Sequence, residues 1–214
     1  MLGFIGGTGP EGRGLALRFA LAGESLIVGS RDATRAQEAA DEIAASVPDA
    51  SIQAGLNHEA AERADTLFVT IPYSGQRSTL DSIGGEIAGK IVVITVAPLS
   101  FGKDGVSAIA IEAGSAAAEA SEILLDSRVV AAFQTISAHD LLKPEKPVDS
   151  DVVVCSDDQD AKETVMALAD KIVGVRAVDG GGLRNAAYVE QITALLLNIN
   201  RIYKSHSAIK ITGI

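Results

Sequence analysis

Gly7-Thr8-Gly9-Pro10-Glu11-Gly12 sets three glycines in a G-x-G-x-x-G spacing within the first dozen residues. This spacing suits a pyrophosphate. Gly7 permits a tight turn, Gly9 lets backbone approach the phosphates, and Gly12 lets a helix lie close to a strand. The N-terminus of that helix offers free N–H groups and a partial positive charge to the anion. Further on, where NAD-binding units place an acidic residue about 20 residues past the glycines for the ribose 2′-hydroxyl, the chain has Ser30-Arg31 and no carboxylate. A hydroxyl and a guanidinium suit a 2′-phosphate. Arg35 follows Arg31 by one helical turn, so the two guanidiniums can converge on one anion. These residues specify NADP.

The elements around them fit. Met1-Leu2-Gly3-Phe4-Ile5 is a short apolar run and reads as a buried strand. Leu15, Ala16, Leu17, Phe19 and Ala20 form a helix pattern up to Gly23, and residues 25–29 form the next strand. Strand, glycine turn, helix and strand make a dinucleotide-binding βαβ unit. A helix is expected over 33–45, a short strand at 51–54 and a short helix at 57–64. Further apolar, β-branched strands are expected at 66–71, 90–96, 128–133, 151–155 and 175–178, with helices at 78–87, 115–125 and 158–172. Residues 100–105 and 142–150 read as loops. The longest helix is expected over 185–205, and residues 209–214 as a last strand or an extended segment.

Strands alternating with helices predict a doubly wound α/β fold of Rossmann type, mostly parallel, with helices on both faces. Residues 1–140 are expected to form an NADP-binding core. Residues 141–214 would form a small C-terminal lobe, or else continue the same domain.

The chain has 214 residues, 18 basic and 28 acidic, a net charge of −10, so a broad nucleic-acid footprint is not expected. No run of apolar residues is long enough to span a membrane. The first strand begins at Met1, which leaves no room for a targeting segment. Cys155 is the one cysteine, so no intramolecular disulfide can form, and both features favour the cytoplasm.

Ligands of open α/β sheets lie beyond the carboxyl ends of the strands. Here those ends are 7–12, Ser30-Arg31, 70–73, 97–99 and 134–138. Tyr73 can pack against the cofactor, while Pro72 and Pro98 end strands. Proton-transfer and metal motifs are absent. His58, His139 and His206 lie far apart, there is no H-E-x-x-H or zinc spacing, and Tyr203-Lys204 are adjacent rather than four apart. His139 reads as a loop residue and Cys155 as inert core. No catalytic side chain is assigned, which favours an acceptor of hydride that needs no positioned acid.

The segments Gly-Gly-Thr-Gly-x-x-Gly-x-Gly-Leu-Ala-Leu-Arg at 6–18, Gly-Ser-Arg at 29–31, Ile-Pro-Tyr at 71–73, Ala-Ala-Phe-Gln-Thr-Ile at 131–136 and Leu-Leu-Leu-Asn-Ile-Asn-Arg at 195–201 resemble the NADP-dependent reductases of the deazaflavin coenzyme F420. The resemblance covers essentially the whole chain. It implies a cytoplasmic homodimer that moves hydride between NADP(H) and coenzyme F420. It also implies NADP contacts from Thr8, Gly9, Pro10, Glu11, Ser30, Arg31, Arg35, Tyr73, Arg77, Leu99 and Ala138, and a deazaflavin site bordered by Gln134, Ile136 and Thr193. At Gln134 the family often has His; Gln can hydrogen-bond there but cannot be a cation. Taken alone, the residues leave open an NADPH-dependent reductase of another acceptor (a flavin, imine or carbonyl compound) and a non-catalytic NADP-binding module. The 185–205 helix, apolar around much of its circumference, is the expected dimer contact.

Overall fold

Apolar residues on both sides of each strand explain the architecture, described here for all residues Met1–Ile214 from a computed structural model. In chain order the elements are β1 (Leu2–Ile5), α1 (Pro10–Leu21), β2 (Leu26–Ser30), α2 (Ala33–Ser46), β3 (Ile52–Leu56), α3 (Asn57–Arg63), β4 (Thr66–Val69), α4 (Gln76–Ile83) and β5 (Ile91–Ile94). Then come β6 (Leu99–Gly102), β7 (Gly105–Ala108), α5 (Ala116–Ile123), β8 (Arg128–Ala131), α6 (Ala138–Leu141), β9 (Ser150–Val154), α7 (Gln159–Ala169), β10 (Val175–Asp179) and α8 (Ala186–Tyr203).

Six strands pair in parallel in the order β3-β2-β1-β4-β5-β8, as the α/β reading predicts. Successive side chains of a strand point to opposite faces. Phe4, Val28, Phe68 and Val93 therefore meet α1, α2 and α7 on one face. Ile5, Ile27, Leu67, Val69 and Ile94 meet α3, α4, α5 and α8 on the other. The first face is centred on Phe4, Phe19, Phe68 and Phe133, with the Phe4 and Phe68 rings stacked at 5.1 Å. The chain order reverses between β1 and β4, so a crevice opens there at the carboxyl ends.

Residues 100–105 are not the expected loop. Leu99–Gly102 and Gly105–Ala108 form an antiparallel hairpin across Lys103-Asp104. Gly105 takes φ +141°, and a Cβ there would lie 2.4 Å from the Asn198 side chain. Asn198, on α8, accepts the Val106 amide at 2.9 Å and donates to its carbonyl at 2.7 Å, completing the hairpin's inner edge. The tail 209–214 forms no strand. Its Ile211 amide donates to the buried Asp151 carboxylate at 2.7 Å. β9 and β10 pair in parallel, and an antiparallel bridge between Ala131 and Cys155 joins them to the end of β8. Cys155 is fully buried, and burial pushes its thiol up to about 11, which leaves it inert.

Arg18 stitches α1 to the segment after β8. It is buried, and its guanidinium donates to the carbonyls of Leu141, Lys146, Asp140 and Lys143 at 2.6–2.8 Å.

Candidate active site

The turn after β1 is tighter than the glycine spacing alone suggests. Gly6, not Gly7, takes the left-handed conformation (φ +72°), and a Cβ on it would strike Ile71 at 2.2 Å. Gly7 is instead pressed against Phe4, and Gly12 against Gly7 and Thr70, at distances a Cβ would bring under 3 Å. The Gly6 amide donates to the Asn57 side chain at 3.1 Å, which pins the turn to α3. Gly9 caps α1 with no side chain, so the first-turn amides face the crevice unclaimed.

On the β2 side lies a cleft of about 340 Å³ bounded by Thr8, Gly9, Ser30, Arg31, Arg35 and Asn57. The Asp32 side chain also lines it, but it is committed to capping α2, accepting the amides of Thr34 and Arg35 at 2.9 and 3.3 Å. Arg31 and Arg35 are exposed and make no ion pair with any acidic residue. In a chain of net charge −10, two unpaired guanidiniums beside a buried serine have the chemistry to receive an anion.

Beyond the switch point the crevice widens into a cleft of about 460 Å³. Pro10, Glu11, Pro72, Tyr73, Leu99, Gln134 and Thr193 line it, with Ala97, Phe101 and Ile109 on its apolar side. The non-glycine φ of +72° at Phe133 turns the chain so that Gln134 enters this cleft. Gln134 is 5% exposed. Its Nε2 donates to the Ile94 carbonyl at 2.9 Å, while its Oε1 has no partner. A buried acceptor left unpaired is costly, and this oxygen is shielded from solvent, so a ring donor would meet it only after the Gln134 side chain turns. The Thr193 hydroxyl donates to the Gln134 carbonyl at 3.0 Å, tying the site to α8.

A second cavity, of about 280 Å³, lies behind Gln134, Glu11 and Thr193. Ile136, Ala138, His139 and His206 line it. The two imidazoles stack at 3.7 Å. Ile136 and Ala138 therefore face this rear cavity and not the front cleft. Arg77 lines neither cleft. Its guanidinium pairs with Glu119 at 3.1 Å, and the same carboxylate accepts Gln76.

Glu11 emerges as more than a backbone contact. It sits in the first turn of α1, and burial raises its carboxyl pKa to about 8 against a hydrogen bond with Thr95. Asn57, Thr95 and the Phe101–Ile109 wall are further site residues that sequence reasoning missed. Of these, the hairpin had a signal, the turn-forming residues Gly102, Asp104 and Gly105 around its two-residue connection.

A glycine turn, a helix start with no side-chain cap, two arginines free of ion pairs and a cleft at the strand switch make this a Rossmann-type fold suited to a dinucleotide. Residues 1–98 match the family described as NADP oxidoreductase, coenzyme F420-dependent. The F420-dependent NADP reductase of Methanothermobacter thermautotrophicus is 44% identical over 98% of this chain and 94% of its own. That of Methanocaldococcus jannaschii is 37% identical over 100% of this chain and 98% of its own. The chain belongs to the F420-dependent NADP reductase family. A crystal structure from Arthrobacter sp. FB24 has the same fold at 20% identity, with a TM-score of 0.84 over 99% of both chains.

Proposed function

We propose that this enzyme passes a hydride directly between the nicotinamide of NADP(H) and the reactive ring carbon of the deazaflavin F420. The observation that carries this reading is the continuity of the crevice: Gly9 and Pro72 wall both the arginine pocket and the front cleft that Gln134 lines. Bound NADP(H) supplies or accepts the hydride. The chain's own residues do the rest. Ser30, Arg31 and Arg35 hold the 2′-phosphate, and the turn through Gly7 and Gly9 holds the pyrophosphate. Pro72, Tyr73 and Leu99 border the nicotinamide, and Gln134 orients the acceptor ring. Catalysis then rests on proximity and orientation within an apolar wall that excludes water.

Residues 1–140 supply the nucleotide half. Residues 141–214 complete the acceptor site through Thr193 and pair two copies through α8. Tyr188, Leu195, Ile202 and Tyr203 are each more than half exposed along that helix, an apolar face that supports a homodimer. No helix is long and apolar enough to cross a membrane, and the lone thiol is buried; the reading places the enzyme in the cytoplasm.

The test uses NADPH deuterated on each C4 face in turn. Recovery of the label on the deazaflavin carbon supports direct transfer. Its loss to water, or faster NADPH oxidation by a flavin or imine than by F420, overturns the reading.

A further inference from the structure

The wall between the front cleft and the rear cavity consists of Glu11, Gln134 and Thr193, which are common to both. Glu11 is the one acidic residue in either lining, and neither contains lysine, arginine or aspartate. The titratable groups facing it are Tyr73 beyond β4, His139 on α6 and His206 in the tail. On its own helix the nearest charges face elsewhere: Arg13 pairs with Glu42 at 2.5 Å, and Arg18 is bound by carbonyls. No cation therefore holds Glu11 in its ionised form. Only the first-turn amides of α1 and the Thr95 hydroxyl favour the anion.

Thr95 is buried just past the carboxyl end of β5, and its hydroxyl donates to the Val69 carbonyl at 3.0 Å. A hydroxyl has one hydrogen. Its interaction with Glu11 favours the carboxylate and opposes the effect of burial, but that hydrogen is already engaged by Val69.

We propose that Glu11 is the proton carrier of the reaction, giving its carboxyl hydrogen to a ring nitrogen of the acceptor and recovering one from water through the rear cavity. This rests on the hydride-transfer reading above. In the direction of deazaflavin reduction, the nicotinamide C4–H bond breaks with its electron pair and a C–H bond forms on the deazaflavin carbon. The displaced ring electrons take the Glu11 proton at nitrogen. Glu11 is left as a carboxylate as the nicotinamide becomes a cation, so the two new charges lie in one cleft and offset each other. The reverse reaction returns the proton to Glu11. Burial holds the carboxyl near about 8, so it stays protonated at neutral pH and can donate.

The test separates proton from hydride. NADP⁺ is bound without deazaflavin, in calorimetry with buffers of differing ionisation enthalpy. The wild type should release a proton near neutral pH, as the cation draws Glu11 into its ionised form, and Glu11→Gln should release none. Difference infrared spectra should show a carboxylic C=O band lost on NADP⁺ binding in the wild type and absent from Glu11→Gln. In single turnovers, Glu11→Gln should slow deazaflavin reduction roughly 10²-fold and lose the wild-type fall in rate as pH rises through about 8. NADPH affinity measured in the same variant establishes that the site is intact. Unchanged proton release, or an unchanged pH profile in a variant that binds NADPH normally, overturns the role of Glu11. Label transfer from NADPH to deazaflavin would still stand in that case, and its failure in the wild type would remove the hydride reading instead.

Discussion

The Glu190 carboxylate accepts the amide hydrogen of Ala116 at 2.7 Å, and its other oxygen takes Ala117 at 3.0 Å. α8 is thereby fastened to the start of α5. Burial pushes the Glu190 carboxyl up to about 7, and the two amides oppose the rise. The folded chain therefore holds this proton more tightly than the unfolded chain, where the value is 4.5. The contribution to stability is full below about pH 4.5 and is lost as pH rises through about 7. Glu11 acts with the same sign up to about 8. The thermal midpoint should fall over this range. Glu190→Gln should cost about 1–3 kcal/mol, because its amide turns an N–H toward an N–H. The fall with pH should become shallower in that variant, and scanning calorimetry across the range checks both.

Arg31→Ala should separate the two nicotinamide cofactors. A charge-assisted hydrogen bond contributes about 1.5–3 kcal/mol, roughly 10- to 150-fold in affinity. NADPH should weaken by that factor and NADH by little. Fluorescence titration of both cofactors checks it, and equal losses would remove the 2′-phosphate assignment.

Arg18→Met keeps the length of the side chain and leaves four carbonyl oxygens without their donor. Several charged hydrogen bonds are lost at once, so the cost should be at least about 3 kcal/mol. For a chain of this size that is a drop of roughly 6–12 °C in thermal midpoint. Arg18→Lys, with one ammonium in place of the fork, should recover only part of it.

Leu195→Glu places a charge at the middle of the exposed apolar face of α8. Sedimentation should show a monomer for this variant and a dimer for the wild type. A wild-type monomer at micromolar concentration with full activity would overturn the homodimer.

The nucleotide half was legible because one local stretch encodes it: strand, glycine turn, helix and Ser30-Arg31 are consecutive. What escaped depends on residues distant in sequence. Asn57 pins Gly6 from 51 positions away, and nothing in its neighbourhood marks it. Arg77 pairs with Glu119, 42 positions on, a contact that nothing near it in sequence announces. Ile136 is close to Gln134 in sequence, yet only Gln134 reaches the front cleft while both line the rear cavity. The 99–108 hairpin was obscured because its strands are largely polar and exposed, and Asn198 of α8 completes its edge. Glu11 was read for its position in the glycine motif. Its protonation depends on burial and on the absence of nearby cations, which only the folded arrangement brings about.

The arginine pocket draws its walls from Gly6 through Thr79, whereas the front cleft needs Thr193. The two ends of the crevice therefore depend on different lengths of chain: losing α8 would take a wall from the front cleft and none from the arginine pocket.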